Sequence, residues 1–518
     1  MKNIIFTINL IILLGCGNYR NNETIPEKWN TGIEGQRIAD LGNNYYKNPV
    51  LAGDYPDPSV LKDGNDYYMV HSSFDYLPGL LIWHSKDLVN WEPVICALFK
   101  NVGSVWAPDI CKYKGKYYIY FPARLGEYKS NYVVTAESIT GPWSDPVDLG
   151  SVLIDPGHIA DTNGQRYIFL SSGRVAPISE DGLSITGKIQ RIYKGFKYPD
   201  DWIVESFSQE GPKMLYKDGY YYMVLAEGGT SGPATSHMVV AARSKNIMGP
   251  YENYPGNPVV KTWNKDEYWW SKGHATLVEG PDKNWYLMYH GYENGHNNLG
   301  RQTLLEPVEW TADGWFKTLD ELNMSEAIKC PGKSKIKHGQ ALSDDFTSNK
   351  MGKQWRFFKE YDINRFEYKD GNLIIKGKGQ SPKDCSPLAF VCGDLNYQVE
   401  VEMDITGEAH GGLLLFYNEE AYAGFGFSKN NKILHRCGMD HFIENKPVDH
   451  VFIRLTNIDN ICSIYYSYDG KNWERFDKRL DVSGYNHNTF YYFLSLRPAL
   501  YAAGNGKIVF KDFKYKAI

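Results

Sequence analysis

Asp63-Gly64-Asn65-Asp66-Tyr67-Tyr68-Met69-Val70 reads as a turn, an aromatic pair and an apolar strand, and the unit returns four times. It recurs as Lys114-Gly115-Lys116-Tyr117-Tyr118-Ile119-Tyr120, Asn163-Gly164-Gln165-Arg166-Tyr167-Ile168-Phe169, Asp218-Gly219-Tyr220-Tyr221-Tyr222-Met223 and Asp282-Lys283-Asn284-Trp285-Tyr286-Leu287-Met288. Gly64 to Gly115, Gly115 to Gly164 and Gly164 to Gly219 are 51, 49 and 55 residues apart, and the fifth copy follows at a longer interval. A second piece trails the first, as in Asn90-Trp91-Glu92-Pro93-Val94, Gly141-Pro142-Trp143-Ser144 and Gly249-Pro250-Tyr251-Glu252. Both pieces are strand runs bounded by Gly, Pro, Asn and Asp turns. A period near 50 residues with about four strands per repeat is the mark of a β-propeller. Five copies predict five blades. A sandwich with accidental internal similarity competes, but the repeated turn-plus-aromatic pattern argues against it.

The pattern ends near residue 325, where Pro331-Gly332-Lys333-Ser334-Lys335 reads as a linker. A different all-β stretch follows Asp344-Asp345-Phe346, through Tyr397-Gln398-Val399-Glu400-Val401-Glu402-Met403 and Gly412-Leu413-Leu414-Leu415-Phe416-Tyr417. Alternating polar and apolar residues between turns predict a two-sheet sandwich. The expected fold is therefore all-β: a propeller over 41–325 and a β-sandwich over 341–518. No stretch of comparable length has helical periodicity.

Ahead of the propeller lies a targeting segment. Lys2 precedes a short apolar run from Ile4 to Leu14, which is the length of a signal-peptide core and too short for an ordinary membrane span. Its end, Leu13-Leu14-Gly15-Cys16, resembles a bacterial lipobox. The resemblance implies a lipoprotein signal over 1–16, acylation of Cys16 and a polar tether over 17–40. The expected location is the bacterial cell envelope, lipid-anchored at the outer membrane or periplasm, or secretion if the signal is simply cleaved. Seven further cysteines cannot all pair and show no C-x-x-C zinc spacing. They are read as buried small hydrophobes, with Cys385 and Cys392 weighed as a local disulfide. The net charge of −5 is spread without a basic stripe, which disfavours nucleic acid as a partner. Membrane contact is expected only through the anchor. Aromatic residues at 15% suit strands, and also suit stacking on sugar rings.

The chemistry is positional. Just upstream of each repeat unit lies a short strand that opens on a polar residue beside Pro or Gly. These strands are Pro56-Asp57-Pro58-Ser59, Ala107-Pro108-Asp109-Ile110, Asp155-Pro156-Gly157-His158, Glu210-Gly211-Pro212-Lys213 and Gly273-His274-Ala275-Thr276. In a propeller the innermost strand of each blade runs along the axis, so equivalent positions converge on one funnel. Asp57, Asp155, Glu210 and His274 should then face one small volume. Glycoside cleavage needs one ionised carboxylate to activate water and one protonated carboxyl to protonate the leaving oxygen. A third raises the acid's pKa by repulsion. Asp57 is assigned as base, Glu210 as acid and Asp155 as the modulator and orienter. Water between base and acid predicts a separation of roughly 6.5–9.5 Å and inversion. Asp54 rivals Asp57 by proximity. Asp57 and Asp155 could each simply cap a turn, whereas turns favour Asp or Asn over Glu at a position such as Glu210. Asp109 is read as structural or substrate-adjacent. His274 is given an axial role, holding water or a metal ion.

At these residues the chain resembles glycoside hydrolase family 43 over about 48–320. The likeness rests on Asn48-Pro49-Val50-Leu51 with Pro56-Asp57-Pro58-Ser59, on Trp106-Ala107-Pro108, Asp155-Pro156, Glu210-Gly211-Pro212, Ala226-Glu227-Gly228-Gly229-Thr230, Gly273-His274-Ala275 and Leu299-Gly300-Arg301. It implies an inverting mechanism with the same three acidic roles. It implies Arg301 on sugar hydroxyls or on the modulating Asp155, and Phe74 and Trp106 as walls of a tight terminal-sugar pocket. No cofactor is required, although a calcium ion near the matching His in many relatives puts a structural Ca2+ beside His274. Residues 341–518 resemble the concanavalin-like sandwich of the family's β-xylosidases, which often closes one side of the pocket. Gly157-His158 and Gln302 depart from the usual residues at their positions, which leaves the sugar open. The expected activity is release of terminal xylose or arabinose from plant cell-wall oligo- or polysaccharides, as an exo-β-xylosidase or α-L-arabinofuranosidase. The alternatives are action on galactan or arabinan, or a non-catalytic surface glycan-binding lipoprotein. A retaining fructan hydrolase would need an Asn-Asp-Pro-Asn-Gly motif, where Asp57-Pro58-Ser59 stands instead.

Overall fold

The computed structural model describes residues 28–518. The signal segment and lipobox lie outside the described residues.

Each repeat unit folds as the hairpin that opens a blade. Lys114-Gly115 and Asp218-Gly219 take positive φ at both turn positions, 47° and 87°, and 49° and 82°. That is the turn whose twist matches the flanking strands. Four antiparallel strands follow in sequence in every blade. Their inner strands are Ser59–Asp63, Asp109–Tyr113, Gly157–Ala160, Gln209–Lys217 and Trp269–Glu279. Alternation along the strands sends successive side chains to the two neighbouring blades, so that Val239 and Ala241 join one inter-blade cluster and Met238, Val240 and Ala242 the other. Ile82 and Leu98 of blade 1 meet Ile119, Phe121 and Val134 of blade 2 in this way.

The ring closes through the N-terminal segment. Val50 N–H donates to the Thr303 carbonyl at 2.9 Å, and the Asn48 amide bonds both ways with the Leu305 backbone. Ala327–Lys329 pairs with Tyr45–Lys47, just past the expected boundary at 325. The tether reading over 17–40 gives way at its described end. Arg37 is bound to Glu293 at 2.7 Å with both side chains buried, and Trp29 bonds the Asn48 carbonyl. Burial of a paired charge fixes this segment to blade 5.

The C-terminal domain is built on two long strands, Tyr397–Asn418 and Arg497–Ala517, paired along most of their length. Its core gathers Trp355, Phe390, Leu413, Phe425 and Phe510. The described cysteines are all free, so Cys385 and Cys392 make no disulfide, and Cys437 is exposed rather than buried. The domains are joined by a strand pairing, Leu77 with Phe357 and Tyr76 with Phe358. A buried ion pair between Arg497 and Asp54, 3.0 Å, adds to it. Among the described residues, helical structure is confined to two short 3-10 turns, Ile33–Gly35 and Asn297–Leu299.

Candidate active site

Carboxyls from three blades meet at one imidazole from a fourth. His274 Nδ1 lies 3.5 Å from Asp57 Oδ1, and its Nε2 lies 3.7 Å from Asp155 Oδ2 and 3.6 Å from Glu210 Oε1. Local backbone irregularity aims them. Asp57, Asp155 and His274 sit at φ of 57°, 59° and 54°, a region that non-glycine residues seldom occupy and that collects at functional sites. The pairing register slips between Glu210 and Lys213 and on either side of Gly273, and such bulges turn a side chain out of the ladder. Gly211 answers a close approach. Its φ is +62°, and a Cβ there would stand 2.8 Å from His274 Nδ1.

Electrostatics separate the carboxyls. Burial pushes the Asp57 carboxyl up, but Arg301, then His274 and His290, reverse this and hold it well below the usual range. Arg301 reaches both oxygens, at 3.0 and 3.4 Å, and Ser72 donates to Oδ2 at 2.5 Å. Asp155 goes the other way, to about 7, chiefly through burial, with the Glu210 and Asp57 charges adding to it. Its Oδ2 accepts the Gly211 N–H at 3.2 Å. The Glu210 side chain is 19% exposed against 4% for Asp155, so Glu210 is the more open of the two. Burial favours neutral His274, but Asp57, Glu210 and Asp155 overturn it and lift the imidazole above its ordinary value.

The walls follow. Phe74 stacks on Phe493 of the sandwich, with centroids 6.3 Å apart, and the Arg301 guanidinium lies 5.7 and 5.1 Å from their ring centroids. Trp106 carries the Lys129 ammonium on its face at 5.3 Å. A cavity of about 1090 Å³ extends outward from Phe74, Trp106 and Phe493 between the two domains, past Arg124, Lys359 and Tyr491.

His274 is one of three imidazoles packed together with near-parallel planes. His237, His274 and His290 have centroids 5.3–5.4 Å apart. Both ring nitrogens of His237 lack a partner. Glu210, His237 and His274 hold donor atoms within 4.8 Å of one another. This set does not fit calcium, which takes six to eight oxygens, since it supplies one carboxylate and two imidazoles. His274 moreover already has three carboxyl groups within 3.7 Å of its ring nitrogens.

The structure brings Asp57, Asp155, Glu210, His274, Phe74, Trp106 and Arg301 to one site. Arg301 grips Asp57 and not Asp155, the carboxylate partner that the resemblance implied. Asp54 is spoken for by Arg497 and is no rival base. Sequence reasoning missed Ser72, His237, His290 and Phe493. His290 sits on the second strand of blade 5 and His237 just ahead of the third strand of blade 4, where the repeat marks no special position. Phe493 arrives from another domain with no local signal.

Residues 46–316 match the model of Glycosyl hydrolases family 43, and residues 343–516 match that of the Beta xylosidase C-terminal Concanavalin A-like domain. The Non-reducing end alpha-L-arabinofuranosidase BoGH43B of Bacteroides ovatus is 33% identical over 363 residues, 65% of this chain and 66% of the relative, just under two thirds of its length. The Beta-xylosidase of Bacillus subtilis is 28% identical over 498 residues, 84% of this chain and 91% of the relative. The crystal structure of the GH43 BlXynB protein from Bacillus licheniformis superposes with a TM-score of 0.82 at 27% identity, covering 92% of this chain and all of that one. The chain belongs to glycosyl hydrolases family 43.

Proposed function

We propose that this chain is an inverting, exo-acting glycosidase that removes terminal xylose or arabinofuranose from plant cell-wall glycans. One observation carries the mechanism: the carboxyls of Asp57 and Glu210 approach opposite nitrogens of a single imidazole. Two such contacts and the ring between them support the wide spacing of inverting enzymes, roughly 6.5–9.5 Å, over the roughly 5 Å of retaining ones. Asp57, held ionised, accepts a proton from the attacking water. Glu210, the more open member of the acidic pair, protonates the departing oxygen. Asp155, protonated near neutrality, orients Glu210 through the Gly211 amide. The domain-capped pocket at Phe74 and Phe493 favours a chain end over an internal residue.

The choice of sugar draws on the relatives, whose names divide between xylosidase and arabinofuranosidase. Proton NMR of fresh hydrolysate from an aryl β-xyloside and an aryl α-arabinofuranoside tests both points. The expected first product is the inverted anomer. A retained anomer refutes the mechanism, and no release from either substrate leaves the glycan-binding alternative. The lipobox reading adds an envelope anchor to the proposal. Labelled palmitate should enter the wild type and not Cys16→Ala, and equal labelling contradicts the anchor.

A further inference from the structure

Asp109 stands in the same slot of blade 2 as the acidic residues above, yet it makes no contact with His274. It takes part in a second, buried layer. Its Oδ1 accepts from Ser59 Oγ of blade 1 at 3.0 Å, and its Oδ2 accepts from the His158 N–H of blade 3 at 2.8 Å. The Lys213 ammonium of blade 4 lies 3.0 Å from Oδ1. Lys213 also donates to the carbonyls of Pro108, at 2.6 Å, and Pro156, at 3.2 Å. Thr276 of blade 5 donates to the Pro58 carbonyl at 2.8 Å, which brings all five blades into the layer. Lys213 and Asp109 are 8% and 7% exposed and line an axial cavity of about 300 Å³.

Every partner in this layer adjoins the site. Pro156 follows Asp155, Pro58 follows Asp57, Pro108 lies two residues beyond Trp106, and the strand that carries Lys213, Gln209–Lys217, also carries Glu210. We infer that Lys213, with Asp109, is a positioning residue for the reaction: one ammonium holds the backbone under Asp155 and Trp106 and fixes both against Glu210. Lys213 does not touch the substrate and so acts only through these neighbours. The inference rests on the glycosidase reading above.

The Asp155 turn holds a left-handed φ that a single carbonyl anchor helps to maintain. Losing that anchor lets the carboxyl drift, and displacements of about 1 Å remote from the chemistry cost on the order of 10²-fold in rate. The charge matters too. Asp155 is faced by His274 of blade 5, by Glu210 and Lys213 of blade 4, by Asp57 of blade 1 and, from blade 2, by Lys129. Without Lys213, the remaining cations are His274 and Lys129.

The test is Lys213→Ala in the full chain on an aryl glycoside that the wild type cleaves. Expected are a fall in kcat of about 10²-fold with KM changed less than about threefold, and a pH–rate limb displaced upward. Propylammonium, which restores the missing cation in the cavity, should recover kcat, and propanol should not. A folded Lys213→Ala with wild-type kcat and pH profile overturns the inference. Where Lys213→Ala does not fold, Asp109→Asn keeps the size and removes the charge. It should show the same kcat loss, with the pH–rate limb displaced downward because an anion and not a cation is removed, and wild-type values there overturn the inference equally. A wild type inactive on every glycoside instead refutes the glycosidase reading.

Discussion

Arg301 lays its guanidinium across Asp57, 3.0 Å from one carboxylate oxygen and 3.4 Å from the other. The pair is buried on both sides, so its geometry is not diluted by solvent. It joins the third strand of blade 5 to the start of blade 1, and it keeps the carboxylate ionised where burial alone would neutralise it.

Arg301→Met removes the foremost counter-charge of Asp57. The Asp57 pKa then rises, and the acidic limb of kcat/KM moves to higher pH, with kcat/KM down on the order of 10²-fold or more at neutral pH. A pH–rate profile checks this. An acidic limb that stays in place would show that Arg301 does not set the ionisation of Asp57.

Asp155 works against stability. Its pKa is raised in the fold, to about 7, so the folded state binds more protons than the unfolded chain between about pH 4 and 7. Stability therefore falls as pH rises through that window, by about 4 kcal/mol at the upper limit for a shift of this size. Asp155→Asn should raise Tm more at pH 7.5 than at pH 4.5 while lowering kcat. An equal Tm change at both values contradicts the raised pKa.

His274 has the opposite sign. Its pKa is raised by three carboxylates, so its stabilisation is full below about 6.5 and is lost as pH rises through the folded value. His274→Gln should lower Tm more at pH 6 than at pH 9. Thermal melts at the two values decide, and a pH-independent loss would mean a ring that is neutral in the fold.

Phe493 belongs to the sandwich and lies on Phe74 and Arg301. Phe493→Ala opens that side of the sugar site. KM should rise about tenfold, equivalent to about 1.4 kcal/mol, with kcat less affected and Tm nearly unchanged. Unaltered KM on a disaccharide would remove the sandwich from the binding site.

The blades were legible because the repeat turns, such as Lys114-Gly115, combine an obligatory backbone geometry with the aromatic pair that follows. The convergence of Asp57, Asp155, Glu210 and His274 followed from the symmetry of those repeats. Contacts that the symmetry does not encode stayed hidden. Ser72 flanks Asp57 from the loop after the second strand of blade 1 and His290 from the second strand of blade 5, and Phe493 crosses from a domain with its own pattern. The docking of Arg37 was masked for a related reason: a polar segment reads as a tether until the buried carboxylate of Glu293 is seen beside it.

The division of labour between Asp57 and Glu210 is tested most directly by the dependence of rate on the leaving group, measured on wild type and Glu210→Ala. A missing acid matters most where the departing oxygen is basic. Glu210→Ala should lose on the order of 10³-fold on a disaccharide or a poor aryl leaving group, and less than about tenfold on a dinitrophenyl glycoside. The same loss with every leaving group, or none, would show that Glu210 delivers no proton and that the carboxyls gathered around His274 are not an acid–base pair.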